Sequence, residues 1–226
     1  MLSHIAIHSP LVPKLEIVLQ RKDMILVAIE GCEAHWDRYQ AQRKTWAIES
    51  WVSSPTDFSG DAMCFTGKML GVPDDYVNLP LKTKAICQFA LKHGYDYLFK
   101  CDTDTYVHLE RLLAADFSEH DYSGFVLDTL EIPYCSGPHY WLSRKAFEIL
   151  AKADWDAYHL TEHSTCEDVM VGCVLHAHGI FPHHDKRYSP FIPVLPSNDV
   201  ISHHLTTNHS YCTELMHEAH KTAHDH

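Results

Sequence analysis

The sequence contains no long uninterrupted run of apolar residues. None of its runs approaches the roughly 20 residues that a membrane-spanning helix requires. Its first residues, MLSHIAIHSPLVPKLEIVLQRK, carry their charges after a broken apolar stretch rather than before it, which is not the arrangement of a signal peptide. We therefore expect no membrane span and a cytoplasmic location, with the Golgi lumen as the alternative if the chain is a fragment that lacks its anchor.

Basic residues are few. The 226 residues include 18 Lys and Arg against 30 Asp and Glu, which gives a formal net charge of −12. Such a charge disfavours a general attraction to nucleic acid or to an anionic membrane surface. An anionic ligand would therefore have to be held locally, by a metal ion or by a few basic side chains.

Closely spaced cysteine pairs are also lacking. The 8 cysteines include no C-x-x-C, and several stand in apolar segments, where a reduced thiol behaves as a small core residue. We favour reduced thiols over disulfides, and the sequence leaves both open. The tripeptide Asn208-His209-Ser210 would be a glycosylation acceptor only in a secretory lumen.

What the sequence does contain is an alternation of short strand-like runs with segments of helical spacing. With 46% apolar residues, the chain can bury a core as one domain, residues 1–226. The alternation predicts an α/β sandwich, with helices on both faces of a mainly parallel central sheet. The predicted strands are residues 24–29, 62–67, 97–101 and 123–127, and the predicted helices are 35–46, 81–93, 143–152 and 168–178. After Gly179 the chain is rich in Pro and His, which predicts an irregular segment over the sheet, and residues 205–226 are predicted to be a helix or tail.

Two carboxylates follow the third predicted strand, in YLFKCDTDTYV, residues 97–107. The carboxyl ends of strands are where open α/β sheets usually bind ligands. Because the side chains at i and i+2 of a strand point the same way, Asp102 and Asp104 are expected to face one ligand together. Two such carboxylates suit a hard divalent cation such as Mg²⁺ or Mn²⁺, although an Asp-x-Asp in a turn is often only solvated or capping.

Five further segments stand in a particular order before and after this pair. They are RYQAQRKTWA (38–47), DDYVNLPLKTKAICQFA (74–90), IPYCSGPHYWLS (132–143), CEDVMVGCVLHAHGI (166–180) and VISHHLTTNH (200–209). Together with FKCDTDTYV (99–107) they resemble, in order, the inverting β1,3-glycosyltransferases. This family includes Fringe and the β1,3-galactosyl- and N-acetylglucosaminyltransferases, and the resemblance covers about residues 24–204.

The resemblance implies a GT-A type fold and metal-dependent transfer of a sugar from a nucleotide sugar, most often a UDP-sugar, to a hydroxyl of a carbohydrate acceptor. The cofactor would be Mn²⁺ or Mg²⁺. It implies that Asp104 is a metal ligand, that His204 closes the metal site, and that Asp102 contacts the ribose or the metal and its water shell. Asp168, which matches the Asp of the family's Glu-Asp-Val-x-Val-Gly segment, would be the base that deprotonates the acceptor hydroxyl.

Three more positions are implied to bind the donor. Arg43 would contact the uridine or the diphosphate, and Lys82 would help to neutralise the nucleotide, unless it is simply a lysine that faces solvent. Gly137 would let the backbone approach the donor sugar closely.

The sequence also departs from the family pattern. Thr103 replaces the middle acid, and Pro138 and His139 replace two glycines. These changes leave open a non-catalytic module of the same fold that binds nucleotide sugars or glycans. A zinc hydrolase is the other alternative, prompted by the histidines of segments 176–178, 183–185 and 203–204, although no H-E-x-x-H accompanies them. The donor sugar, the acceptor, the linkage and the oligomeric state are not encoded in a readable way.

Overall fold

A six-stranded central sheet organises the chain. The computed structural model describes residues 23–47, 58–128, 130–158, 166–190, 199–205 and 211–224. The strands are β1 (Asp23–Glu30), β2 (Phe58–Phe65), β3 (Tyr97–Asp102), β4 (Thr105–Val107), β5 (Tyr122–Leu127), β6 (Tyr134–Ser143), β7 (His183–His184), β8 (Tyr188–Ser189) and β9 (Ser202–His204). The central sheet has the order β2-β1-β3-β6-β5-β7. Its pairs β1–β2, β1–β3 and β5–β7 are parallel, whereas β6 runs antiparallel to both of its neighbours.

Helices cover both faces of this sheet. They are α1 (Trp36–Arg43), α2 (Gly67–Leu70), α3 (Leu79–His93), α4 (Leu109–Leu113), α5 (Arg144–Lys152), α6 (Glu167–Ala177) and α7 (Cys212–His224). Side chains of α3, α5 and α6 fill one core, and side chains of α1, α4 and α7 contribute to the other. The run MILVAI in β1 divides its alternate side chains between the two cores, which explains why a strand at the centre of the sheet is apolar throughout.

A second, three-stranded sheet lies on the α1 and α7 side. β9 pairs antiparallel with β4 and parallel with β8, and this register sets His204 opposite Thr105. The chain turns at Thr103 and Asp104 between β3 and β4. The second sheet therefore begins directly at the predicted pair of acids.

The predicted fold class is confirmed. All four predicted strands and all four predicted helices exist, with shifted ends. The helix predicted from residue 143 begins at Arg144, and Ser143 is its N-cap, since its hydroxyl accepts a hydrogen bond from the N–H of Ala146 over 3.3 Å.

Two predictions need correction. The segment after Gly179 is not purely irregular, because β7 joins the central sheet and β8 and β9 build the second one. β6 was not predicted, because Gly137 and Pro138 interrupt the run of strand-forming residues in its sequence. The register between β5 and β6 shifts between Gly124 and Val126 and leaves residues 136–139 without partners on β5. A proline, which lacks an N–H, is tolerated in such a gap.

Three other findings concern the membrane, the thiols and the acceptor tripeptide. Within the described residues, no helix combines the length and the apolar character that a membrane crossing needs. All eight cysteines lie in these residues and none of them is in a disulfide. The tripeptide 208–210 lies outside the described residues.

Candidate active site

The register between the two central parallel strands brings acidic side chains together at their carboxyl ends. β1 ends at Glu30, which pairs with Asp102, the last residue of β3. The buried ammonium of Lys100 lies among three carboxylates, 2.7 Å from Asp102 Oδ1, 3.0 Å from Glu30 Oε2 and 3.4 Å from Glu167 Oε2. We call these four side chains the Lys100 cluster.

Neutral groups add hydrogen bonds to this cluster. Lys100 also donates to the carbonyl oxygen of Gly137 over 2.9 Å. Glu167 accepts hydrogen bonds from the hydroxyl of Tyr140 and, over 2.9 Å, from the hydroxyl of Thr83. Buried charges persist when they are paired and hydrogen-bonded in this way.

The electrostatics of the Lys100 cluster follow from three acids sharing one cation. Burial raises the pKa of Glu30 to about 7, against the opposing effect of Lys100. Burial alone would lower the pKa of Lys100, but Asp102, Glu167 and Glu30 outweigh it and hold that pKa well above its usual value. Lys100 is therefore an ammonium, and a proton on Glu30 near neutral pH relieves the excess negative charge.

Asp104 faces different partners. Its side chain is 14% exposed; Oδ2 lies 3.3 Å from Nη1 of Arg38 on α1, and Oδ1 lies 3.4 Å from Nε2 of His204 on β9. Oδ1 is buried and makes no hydrogen bond. Burial would raise the pKa of Asp104, but His204 and Arg38 lower it below its usual value. Asp104 is thus an ionised carboxylate with one oxygen left for a ligand.

The ring of His204 is held with Nε2 toward this carboxylate. Burial would lower the pKa of His204, but Asp104 and a backbone hydrogen bond with Pro190 raise it. The neighbouring carboxylate thus favours the protonated ring, and a cation that binds Nε2 would displace that proton.

The residues around Asp104 fit a hard divalent cation that also binds a diphosphate. A carboxylate oxygen without a hydrogen bond and an imidazole nitrogen are both ligands that Mn²⁺ accepts. No group of three or more His, Cys, Asp or Glu side chains in the described ranges is spaced to hold a metal ion, so the protein offers two ligands, Asp104 and His204, with Asp102 nearby. Mg²⁺ and similar ions commonly take their other ligands from water and phosphate oxygens.

Asp168 lies in the first turn of α6, against Gly137. Its Oδ2 accepts from the N–H of Gly137 over 3.0 Å, and its Oδ1 accepts from the N–H of Val169 over 2.9 Å. A Cβ at position 137 would stand 3.3 Å from Asp168 Oδ2, so the glycine permits this close approach. Burial, and then the charge of Glu167, raises the pKa of Asp168. A carboxylate oriented in this way can accept a proton.

The structure groups five of the predicted site residues at this edge of the sheet: Asp102, Asp104, Gly137, Asp168 and His204. The expectation that Asp102 and Asp104 point the same way from one strand is wrong, however. β3 ends at Asp102, so the two acids are not alternate residues of one strand, and the following turn gives them different partners. Gly137 approaches Asp168, and its approach to a donor sugar stays a prediction.

Lys82 and Arg43 are placed differently. Lys82 is buried, with its ammonium 2.8 Å from Asp74 Oδ1 and 2.8 Å from the carbonyl of Gly31. The alternative that it faces solvent is wrong, and its contact with a nucleotide stays a prediction. Arg43 is exposed at the end of α1, whereas Arg38, about 1.4 helical turns earlier, reaches Asp104.

Four charged side chains of the candidate site were not predicted from the sequence. Arg38, Lys100 and Glu167 each lie inside a quoted segment of the resemblance, next to residues that were singled out, and Glu30 ends the first predicted strand. A buried charge is informative only when its partner is known, and each of these residues finds its partner on a distant part of the chain.

Comparison with known proteins supports the fold. No protein-family model matches the sequence, and no curated protein matches it significantly. Among solved structures, the chain is similar to a glycosyltransferase involved in the glycosylation of the major capsid of PBCV-1, with a TM-score of 0.52 and 14% identity over 87% of this chain and 99% of that chain. The similarity to A197 from STIV is weaker, with a TM-score of 0.38 and 12% identity over 72% of this chain and 81% of that chain. The chain therefore has a glycosyltransferase-like fold, and membership of the β1,3-glycosyltransferases stays a prediction.

Proposed function

We propose that this protein is a metal-dependent, inverting glycosyltransferase that moves a sugar from a nucleotide sugar to a hydroxyl of a carbohydrate acceptor. The favoured donor is a UDP-sugar. The placement of Asp168 carries the proposal. Its carboxylate accepts a hydrogen bond from the N–H of Gly137, whose carbonyl binds Lys100, and Lys100 binds Asp102. A proton acceptor thus lies close to the acids that fit a metal diphosphate, and the fold shared with the PBCV-1 enzyme supports the same reaction class.

Asp168 takes the proton from the acceptor hydroxyl while that oxygen forms its bond to the anomeric carbon. The bond from the anomeric carbon to the phosphate oxygen breaks, and its electron pair leaves with the nucleoside diphosphate. Attack from the face opposite to the leaving group inverts the configuration. The raised pKa of Asp168 favours proton uptake, and the N–H groups of Gly137 and Val169 hold one carboxylate oxygen each.

Asp104 and His204 would hold the metal ion, and Asp102 would contact the ribose or the metal and its water shell. When bound, Mn²⁺ or Mg²⁺ supplies positive charge that stabilises the departing diphosphate. Arg38 orients Asp104, as Lys100 does for Asp102. Arg43 contacts the uridine or the diphosphate from the end of α1.

A screen of UDP-sugars for thermal stabilisation, with Mn²⁺ and with EDTA, tests this proposal. A ligand present at one hundred times its dissociation constant adds about 2.7 kcal/mol to the stability of the folded state. We expect at least one UDP-sugar to stabilise the protein only with Mn²⁺, and the same donor to be hydrolysed or transferred. Failure of all UDP-sugars to stabilise the protein with Mn²⁺ would overturn the donor class.

The non-catalytic module would bind a UDP-sugar with Mn²⁺ but release no UDP in the presence of any acceptor. His139, which suggested this alternative, is completely buried, and its ring lies 6.1 Å from that of Tyr188. Its bulk therefore lies in the core rather than against Asp168. This position favours the enzyme.

No observation favours a zinc hydrolase. Two of the histidines that suggested it are engaged elsewhere: His178 Nδ1 lies 2.8 Å from the carbonyl of Val174, and His183 stacks on His120 with ring centroids 3.6 Å apart. Tightly bound zinc in the purified protein would revive this reading.

A further inference from the structure

Exposed apolar side chains are concentrated in one segment beside the candidate active site. Among the described residues, four of the seven exposed large apolar side chains belong to residues 69–81, namely Met69, Tyr76, Val77 and Leu81. This segment connects α2, which follows β2, to α3. Single exposed apolar residues need no explanation, but a local concentration of them marks a candidate binding surface.

The backbone that presents these side chains is anchored. Asp74 accepts a hydrogen bond from the N–H of Glu33 over 2.9 Å, and its other oxygen lies 2.8 Å from the buried ammonium of Lys82. Asp75 then caps the short 3₁₀ helix at residues 76–78, accepting a hydrogen bond from its last N–H over 3.1 Å. Tyr76, at the start of this helix, is therefore held on a fixed turn, although 72% of its surface is exposed.

The segment that carries Tyr76 lies against the edge of the sheet that holds the candidate active site. At the start of α3, Lys82 donates to the carbonyl of Gly31, directly after β1, and Thr83 donates to Glu167, the neighbour of Asp168, over 2.9 Å. Burial, and then nearby acidic groups that include Asp168, raise the pKa of Tyr76, so the phenol stays protonated while most of its surface is open to solvent. Aromatic side chains that combine a polar group with a large apolar face are common in binding sites.

We propose that Tyr76 positions the acceptor, its ring packing against the apolar C–H face of a neutral pyranoside next to Asp168, and that Val77 and Leu81 extend this surface. The inference rests on the proposed glycosyl transfer and adds the acceptor class to it. A pyranose ring offers both a flat apolar face for the phenol and hydroxyls for Asp168. An acidic sugar would be repelled by Asp168, Asp102 and their neighbours in the Lys100 cluster.

The test compares the wild type with Tyr76→Ala, Tyr76→Phe and Phe181→Ala. Phe181 is a matched control, because it is an aromatic residue with 61% exposure that lies beyond the far end of α6, a helix about 16 Å long. The probes are the methyl β-glycosides of glucose, galactose, N-acetylglucosamine, xylose and glucuronic acid. Their binding is followed by saturation-transfer NMR with Mn²⁺ and UDP, and their transfer kinetics with the donor found in the UDP-sugar screen.

We expect Tyr76→Ala to raise the KM for the best neutral glycoside about tenfold, with little change in kcat or in the affinity for UDP and Mn²⁺. Tyr76→Phe keeps the ring, so its KM should lie near the wild-type value, as should that of Phe181→Ala. The glucuronide should bind more weakly than every neutral glycoside.

Each contrary outcome separates this inference from the proposed function. An unchanged acceptor KM in Tyr76→Ala, or an equal loss of UDP affinity, overturns the role of Tyr76 and leaves glycosyl transfer standing. The same holds if the wild type binds UDP and Mn²⁺ but none of the glycosides. If the wild type binds no UDP but binds a neutral glycoside that Tyr76→Ala releases, glycosyl transfer fails and the pyranoside site survives.

Discussion

Asp102 and Asp104 are separated by one residue, yet they serve opposite halves of the site. Asp102 belongs to the Lys100 cluster, on the side of the sheet covered by α3, α5 and α6. Asp104 lies in the turn that leads into the second sheet and is approached by Arg38 from α1 and His204 from β9. The difference lies in the counter-ions, because Lys100 is one cation shared by three acids, whereas Asp104 lies beside Arg38 and His204.

Under the proposed function, this one edge of the sheet would both bind a cation and position a base. The Lys100 cluster carries its own counter-ion, so it has little need of an added metal. The Asp104 side has spare capacity for one. Asp168 lies on the side of the Lys100 cluster, linked to it through Gly137. Substitutions on the two sides should therefore produce different failures.

The largest effect is expected from Asp168→Asn, which keeps the shape of the side chain but cannot accept the proton. Removal of a general base typically costs about 10²- to 10⁴-fold in rate, so kcat should fall by that factor. Affinity for UDP and Mn²⁺, measured by calorimetry, should stay near the wild-type value because the metal side is untouched. Normal turnover of Asp168→Asn would assign the base to another residue.

Lys100→Met should destabilise the fold by about 3 to 5 kcal/mol, because removing one partner leaves buried charges uncompensated. Urea unfolding at neutral pH measures this loss. The control is Lys145→Met, whose ammonium is 65% exposed beside Asp121 and whose loss should cost at most about 1 kcal/mol. Equal effects of the two substitutions would mean that the Lys100 cluster is far better hydrated than its burial indicates.

Asp104→Ala should weaken the Mn²⁺-dependent binding of UDP by about 100-fold or more, since even changes to groups that merely support a metal ligand typically cost about 10- to 100-fold. Calorimetric titration of UDP with and without Mn²⁺ measures the change. Asp116→Ala, which removes a carboxylate 57% exposed beside Arg187, should leave the affinity unchanged. An Asp104→Ala protein that binds UDP normally contradicts the metal assignment.

The smallest effect concerns pH. Because the pKa of Glu30 is raised to about 7 in the folded state, the folded chain holds a proton there that the unfolded chain has lost above about pH 4.5. This contribution to stability is complete at low pH and disappears as pH rises through about 7. Glu30→Gln mimics the protonated form, so it should be more stable than the wild type above pH 8, by on the order of 1 to 3 kcal/mol.

Unfolding free energies of both proteins between pH 5 and pH 9 provide the measurement for Glu30→Gln. Lys100 retains Asp102 and Glu167 as partners in this variant, so its ammonium stays paired. Parallel pH profiles for the wild type and Glu30→Gln would show that Glu30 is ionised throughout this range.

The sequence revealed much of the fold because its signals are local. The strand over residues 24–29 and the helix over 143–152 each depend on residues within a few positions, and both predictions are confirmed with shifted ends. β6 was not predicted because Pro138 lacks the N–H that a regular strand ladder needs. The irregular register with β5 leaves Pro138 without a partner there, so the missing N–H is tolerated.

Prediction of the candidate site went less far. The resemblance pointed to acids that the structure brings to one edge, but the cations that organise them were not recognised. Helical spacing alone does not decide whether Arg38 or Arg43 of α1 faces the sheet edge, because that depends on which face of the helix packs inward. Lys100 was not predicted for a similar reason. Its ion pairs with Glu30 and Glu167 join distant parts of the chain, so the sequence around Lys100 does not indicate them.

The position of β6 also has a consequence for the order in which the molecule can assemble. β1, β2 and β3 form neighbouring parallel ladders from the first half of the chain, whereas β6 comes from the second half and enters between β3 and β5. Gly137 on this strand links Lys100 to Asp168, so the site is incomplete until the second half of the chain has joined the sheet. Nucleotide binding can thus serve as a reporter of complete folding, because a chain with only its first three strands paired would lack both Gly137 and His204, which pairs opposite Thr105.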